Sequence, residues 1–149
     1  MAQIKKLKKN IINNIAAGEI IEGPSSVVKE LIENSIDAKS TEINVYIKKS
    51  GLKSISIQDN GCGISSDDLK IAFDRHTTSK ISSKLDLVNI NTLGFRGEAL
   101  PSIASVSMLK AVSKLGKSKN AYEIIINGGD EKGFKIGVLE KSGTCMTVE

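Results

Sequence analysis

The chain has 149 residues, of which 40% are hydrophobic and 26% are charged, and its formal net charge is +4. This composition excludes an intrinsically disordered chain and is typical of one globular domain with a single core. Aromatic residues make up only 3%, which argues against a protein that binds single-stranded nucleic acid by stacking bases. No apolar run reaches the length of a membrane span, and two distant cysteines indicate a reducing, cytoplasmic location without membrane association.

The N-terminal segment combines lysines with apolar residues at helical spacing. Four lysines lie within residues 5–9, a cluster that permits weak contact with DNA phosphates but is equally typical of a solvated helix face. Apolar residues recur every three or four positions from Ile4 to Ile15. This spacing predicts an amphipathic helix that runs to about Ala17 and ends at Gly18.

A second helix is predicted to begin at Pro24, because the fixed φ of proline suits a first helical turn. Within it Glu30, Asn34 and Asp37 follow at helical intervals and share one face, which we expect opposite the apolar face. Asn and Asp are poor residues for a helix interior, and clustered oxygen ligands suit Mg²⁺, although a solvated face is the alternative. The predicted apolar side comprises Val27, Val28, Leu31, Ile32, Ser35 and Ile36.

Two alternating segments, 43–47 and 55–57, predict a β-hairpin with one buried face. Asp59 ends the second strand, and residues 60–63 after it predict a tight turn that depends on glycine. An Asx turn alone would also explain an aspartate at this position. Residues 65–68 then resemble a capping box that starts a helix predicted to run through Phe73.

The second half of the chain is predicted to add one helix and four strands. Residues 75–93 read as an irregular loop, and a helix follows from Glu98 to about Ser105. Strands are predicted over residues 108–113, 121–126, 134–139 and 144–148. We therefore expect the α/β (α+β) class, as a two-layer sandwich with helices on one face of a mostly antiparallel mixed sheet.

Four segments, in order, resemble the ATP-site motifs of the family that unites gyrase, a heat-shock chaperone, histidine kinases and MutL-type DNA mismatch-repair proteins. The segments are KELIENSIDA at 29–38, DNGCGI at 59–64, GFRGEAL at 94–100 and SGT at 142–144. The first three, together with NNIAAGEIIE at 13–22, are similar to the MutL branch in particular. This resemblance covers nearly the whole chain and implies a Bergerat-type ATP-binding fold.

The resemblance implies a role for each matching residue. Glu30 matches the general base that orients the attacking water, Asn34 matches the magnesium ligand, and Asp59 matches the acceptor for the adenine amino group. The other implied ATP-binding positions line the pocket, approach the base or enclose the phosphates. They are Asp37, Ala38, Gly61, Gly63, Ile64, Thr78, Ser79, Lys80, Gly94, Phe95, Arg96, Gly97, Glu98, Ala99, Leu100 and Thr144.

The resemblance to MutL implies an ATPase dependent on Mg²⁺, in which nucleotide closes a lid and drives homodimerisation. Its implied partners are the mismatch sensor MutS, a downstream nuclease or helicase and, weakly, DNA. Residues 1–149 are expected to be a truncated N-terminal ATP-binding subdomain, without the second ATPase subdomain and the C-terminal dimerisation domain of MutL proteins. A nucleotide-binding module without turnover and a gyrase-like topoisomerase fragment are the alternatives.

Overall fold

The structure, a computed structural model, describes residues 4–75 and 98–149. The helices in this part of the chain are α1 (Lys9–Ile20), α2 (Pro24–Asp37), α3 (Ser66–Ile71) and α4 (Ala99–Ser105). The strands are β1 (Ile43–Lys48), β2 (Ser54–Asp59), β3 (Met108–Lys114), β4 (Ala121–Asn127), β5 (Asp130–Gly137) and β6 (Gly143–Val148). A single 3-10 turn at Lys49–Gly51 joins β1 to β2.

The six strands form one sheet in the order β1-β2-β6-β3-β4-β5. Every neighbouring pair in this sheet is antiparallel. Strand β2 shows the expected alternation, since Ile55 and Ile57 are buried while Gln58 is exposed. The predicted α+β sandwich is confirmed. The last strand, β6, lies inside the sheet between β2 and β3.

The core lies between one face of the sheet and the helices. Helices α2, α3 and α4 contribute Leu31, Leu69 and Ile103 to one hydrophobic cluster with inward residues of the strands. Each of these three side chains is at most 2% exposed. Since removal of such a side chain costs about 2–5 kcal/mol, this cluster fixes the position of α2 over the sheet.

Helix α1 packs against α4 and continues through Gly18 to Ile20, so the prediction that it ends at Gly18 is wrong. Glycine inside a helix lowers the stability of the helix by about 1 kcal/mol relative to alanine, and for this reason Gly18 was predicted to end α1. Burial of Ala17 outweighs this cost. Arg75 adds two hydrogen bonds to Asn13, one from Nε to Oδ1 and one from Nη2 to the carbonyl oxygen, both 3.0 Å.

The β1–β2 hairpin forms as predicted, but its expected buried face is only partly buried. Val45 and Ile47 are 40% and 50% exposed, because β1 is the edge strand and lies beyond the main contact of α2 with β2. Ile43 alone on that face of β1 packs against the core cluster.

The outer face of the sheet is polar near β3, β4 and β5. Glu123 is buried and accepts ion pairs from Lys110 at 3.1 Å and from Lys135 at 3.6 Å. Two cations flanking one desolvated carboxylate stabilise its charge and tie three strands together. No helix within residues 4–75 and 98–149 is long and apolar enough to cross a membrane.

Candidate functional site

Helix α2 carries the three polar residues on the flank of its buried face. The buried residues of α2 are Val27, Leu31 and Ser35. The three polar residues, Glu30, Asn34 and Asp37, are half-buried. Adjacent helical residues are about 100° apart, so Glu30 lies about a quarter turn from Leu31. The prediction that the polar stripe is opposite the apolar one is therefore wrong. The stripe lies beside the contact between α2 and the sheet.

Two further details of α2 differ from the sequence prediction. Ile36 was predicted to be on the apolar side but is 47% exposed, whereas Ser35 occupies the buried position next to it. The Ser35 hydroxyl lies 3.1 Å from the carbonyl oxygen of Leu31 and 2.8 Å from Oδ2 of Asp59. Helix α2 is thus joined to the end of β2 by a polar contact.

The Asp59 carboxylate is anchored by three hydrogen bonds. Its Oδ1 accepts hydrogen bonds from the backbone N–H of Gly61 at 2.9 Å and of Thr144 at 3.3 Å. Its Oδ2 accepts the Ser35 hydroxyl. The Asx turn and the β6 contact therefore coexist, and they fix the carboxylate plane. A carboxylate oxygen can accept more than one hydrogen bond, so Oδ2 retains acceptor capacity for a ligand.

The glycines of the 59–64 turn are required by packing within the chain. A Cβ on Gly61 would lie 2.7 Å from the Ala38 carbonyl oxygen, and one on Gly63 would lie 2.0 Å from the Lys114 carbonyl oxygen. Gly63 also has φ of +74°, a conformation that costs other residues about 1–2 kcal/mol. The turn is held between the end of α2 and the end of β3, where the Cys62 N–H donates to Ala38 O at 3.0 Å.

Ser113 of β3 and Thr144 of β6 form a buried polar pair beside the end of β2. The two residues are direct cross-strand partners, and their hydroxyl oxygens are 2.8 Å apart. Ser113 Oγ also accepts the Ile64 N–H at 2.8 Å and lies 3.1 Å from the Gly143 carbonyl oxygen. Asp59 is the cross-strand partner of Thr144 on the other side. These contacts connect the turn to three strands.

Glu30 has charged neighbours on its own helix. Lys29 Nζ lies 3.9 Å from Glu30 Oε1 and 3.3 Å from Glu33 Oε1, and the Glu30 side chain is 23% exposed. Within residues 4–75 and 98–149, no group of three His, Cys, Asp or Glu residues could hold a metal ion. The hard-oxygen donors of α2 instead suit an ion that keeps water ligands and shares phosphate oxygens, as Mg²⁺ does.

The structure covers only part of the predicted phosphate-binding set. Glu98 occupies the N-cap position of α4 without a capping hydrogen bond from its side chain, and Ala99 and Leu100 lie in the first turn; all three are half-buried. Seven predicted positions lie outside the described residues. They are Thr78, Ser79, Lys80, Gly94, Phe95, Arg96 and Gly97.

One cleft in the described part of the chain lies elsewhere. It measures about 620 Å³ and is lined by outward residues such as Gln58, Lys110 and Thr147. It reaches Asp59 only at the end of β2, whereas the Asp59 carboxylate binds Ser35 on the helix side of the sheet. The polar residues of α2 and Asp59 therefore define the site, and this cleft does not.

A family model described as histidine kinase-, DNA gyrase B-, and HSP90-like ATPase matches residues 21–141. The chain belongs to this ATPase family. The MutL resemblance is also confirmed, because the chain is 55% identical to the DNA mismatch repair proteins MutL of Bacillus anthracis and Bacillus cereus. Each alignment covers 100% of this chain. The chain spans 24% and 23%, respectively, of the length of these two relatives.

Solved structures of the family support the same assignment. The MutL ATPase domain of Aquifex aeolicus complexed with ADP has a TM-score of 0.66 at 35% identity, over 87% of this chain and 42% of that one. The N-terminal domain of a DNA repair protein has a TM-score of 0.74 at 30% identity, over 92% of this chain and 38% of that one. The fold is that of this ATPase family.

Three residues were missed by the sequence reasoning, and two of them belong to the site. Ser35 and Ser113 are serines at inward positions of otherwise apolar patterns, which is the signal that could have identified them. Arg75, which binds Asn13 of α1, had no such signal, because the two residues are far apart in sequence.

Proposed function

We propose that this chain binds ATP through Asp59 and supplies the nucleotide-binding part of a MutL-like mismatch-repair ATPase. The observation that carries the proposal is the anchoring of the Asp59 carboxylate by Ser35, Gly61 and Thr144. The ADP complex of the Aquifex aeolicus MutL domain, 35% identical over the matched region, supports a nucleotide as the ligand.

In this proposal Asp59 recognises the 6-amino group of adenine. An ionised carboxylate only accepts hydrogen bonds, and the amino group only donates them. Three bonds within the protein orient the carboxylate before the base arrives, so little entropy is lost on binding. In this proposal the buried Thr144 and the turn at Gly61 and Gly63 form the surroundings of the base.

Glu30 is proposed as the general base for hydrolysis. Phosphoryl transfer depends mainly on positioning and charge neutralisation, so one carboxylate that orients a water molecule is sufficient chemistry for the protein to supply. Glu30 is only 23% exposed and lies on a helix fixed by the core cluster. The Asn34 carboxamide oxygen would hold Mg²⁺, which neutralises phosphate charge when bound.

Beyond the site, we propose that nucleotide binding closes a lid and promotes homodimerisation of the whole protein. This would couple mismatch recognition by MutS to strand incision by a downstream nuclease or helicase, with weak DNA contact and a cytoplasmic location. The identity to two MutL proteins over the full chain supports this role. Catalysis by the chain alone is a separate question, since the solved MutL ATPase domain extends beyond the matched region.

Asp59→Asn tests nucleotide recognition. The amide would place a donor against the 6-amino group, so calorimetry should show ATP affinity falling at least about 10-fold, the value of one charge-assisted hydrogen bond. Asp67→Asn, at an exposed carboxylate in α3, is the matched control and should leave ATP affinity unchanged. Equal ATP affinity in wild type and Asp59→Asn would refute the proposed adenine site.

Glu30→Ala tests hydrolysis, and Glu33→Ala is its control because both residues pair with Lys29 on the same helix. Glu30→Ala should retain ATP binding and abolish single-turnover hydrolysis of the whole protein, while Glu33→Ala should retain both. A hydrolysis rate that survives Glu30→Ala would remove Glu30 from its role. Hydrolysis measured on this chain alone decides whether it is an ATPase or a binding module without turnover.

A further inference from the structure

The Ser113 hydroxyl is fully buried and has three polar neighbours, which restricts where its single proton lies. The backbone N–H of Ile64 donates to Ser113 Oγ, so the oxygen is an acceptor in that bond. Two acceptors remain for the Ser113 proton, the Gly143 carbonyl oxygen at 3.1 Å and Thr144 Oγ1 at 2.8 Å. A hydroxyl has one proton and two lone pairs, so the two choices have different consequences.

If the Ser113 proton goes to Gly143, the Thr144 hydroxyl donates to Ser113 Oγ and every proton of the pair has an acceptor. If it goes to Thr144 Oγ1 instead, the Thr144 proton needs another acceptor. No other residue within 4–75 and 98–149 hydrogen-bonds to the Thr144 hydroxyl, and Thr144 is only 7% exposed. Buried protons without an acceptor are costly, so the first arrangement is favoured.

The favoured arrangement leaves the lone pairs of Thr144 Oγ1 as the part available to a ligand. Asp59 is the cross-strand partner of Thr144, and both side chains lie on the helix side of the sheet. The two residues therefore present two acceptors side by side. When both acceptors face the 6-substituent, the amino group of a 6-amino purine offers them its two N–H donors, whereas a 6-oxo purine places an oxygen acceptor there that both would repel.

We propose that Ser113 is a positioning residue that sets nucleotide specificity: by accepting the Thr144 hydroxyl proton, it keeps Thr144 an acceptor and disfavours 6-oxo purines. The proposal rests on the adenine site proposed above. It concerns a residue outside the four sequence motifs. Ser113 acts through Thr144 and does not itself contact the nucleotide.

Ser113→Ala removes the acceptor of the Thr144 proton. The freed proton can then donate to a 6-oxo group, so the inosine triphosphate affinity should rise relative to that of ATP. We expect the ratio of the two Kd values, inosine triphosphate over ATP, to fall about 10-fold in calorimetric titrations of the full chain. Inosine triphosphate is the probe because it differs from ATP only at the 6-position and the adjacent ring proton.

Ser102→Ala is the matched control. Ser102 is also fully buried, but its hydroxyl has no hydrogen-bond partner in the described part of the chain. Ser102→Ala deletes a buried hydroxyl but leaves the Thr144 hydroxyl proton bonded to Ser113. The ratio of the inosine triphosphate Kd to the ATP Kd should therefore stay at the wild-type value. Ser113→Thr retains a hydroxyl at the same position and should restore the ratio.

Thr144→Val provides a second measurement that does not depend on the folding of Ser113→Ala. It keeps the side-chain volume and deletes the acceptor, so the ratio of the two Kd values should fall, and adding Ser113→Ala should change the ratio no further.

The inference is overturned if the ratio is unchanged in both Ser113→Ala and Thr144→Val, or if Ser102→Ala changes it equally. If Asp59→Asn also leaves ATP affinity unchanged, the adenine site itself fails. If Asp59→Asn weakens ATP while the ratio is constant, only the role of Ser113 fails.

Discussion

Substitution of Gly63 by alanine tests whether the turn after β2 is shaped by packing against β3. A Cβ at this position would lie 2.0 Å from the Lys114 carbonyl oxygen and 2.5 Å from its carbon, so the backbone of one segment must move. The left-handed φ of +74° adds about 1–2 kcal/mol, and overpacking of this kind costs about 1–3 kcal/mol. Reduced entropy of the unfolded chain offsets about 0.4–1 kcal/mol. The expected loss of unfolding free energy is about 1–5 kcal/mol.

Gly128→Ala separates the two contributions. Gly128 has a similar φ of +58°, but no atom lies within 4 Å of the position that its Cβ would occupy, so it carries the conformational cost alone. Its expected loss is about 0–2 kcal/mol. Urea unfolding followed by circular dichroism should show a midpoint about 1 M lower or more for Gly63→Ala than for Gly128→Ala, with equal slopes. Equal midpoints for the two variants would refute the packing argument.

Three smaller changes test other contacts. Ser65→Ala removes the side-chain cap that accepts the Asp68 N–H at 3.1 Å and should cost about 1 kcal/mol of stability in the same urea assay; no change would show that this cap contributes nothing. Arg75→Ala removes both hydrogen bonds to Asn13, so amide exchange across α1 should accelerate while β3 exchanges as before, and unchanged α1 protection would contradict this. Ser35→Ala deletes one of the bonds that orient the β2 carboxylate, and calorimetry should show ATP affinity about five-fold lower; equal affinity would mean that the remaining bonds suffice.

The sequence predicted the elements whose pattern is local. Helix α2 has a proline at its start and apolar residues at helical spacing, and β2 alternates between buried and exposed positions. The turn from Asn60 to Gly63 was predictable because its glycines adopt conformations or close approaches that other residues do not tolerate. These features depend on neighbours within a few positions along the chain.

Features that depend on distant parts of the chain were not predictable in the same way. The extension of α1 through Gly18 depends on packing against α4, and the exposure of Ile36 depends on which side of α2 meets the sheet. The contact of Ser35 with Asp59 spans 24 positions, and no periodicity encodes it. In the candidate site, the motifs indicated the polar residues that would contact a ligand but not the serines that orient them.

The position of β6 inside the sheet has a consequence for biosynthesis. In the sheet formed by the described residues, strands β2 and β3 do not pair directly, and residues 143–148 lie between them and pair with both. Before β6 has been synthesised, the nascent chain can form the β1–β2 hairpin and the β3–β4–β5 meander. The edges of β2 and β3 that later pair with β6 are then open. Such edges invite pairing with foreign strands. We therefore expect the nascent protein to be most prone to aggregation just before β6 pairs with β2 and β3 and completes the sheet.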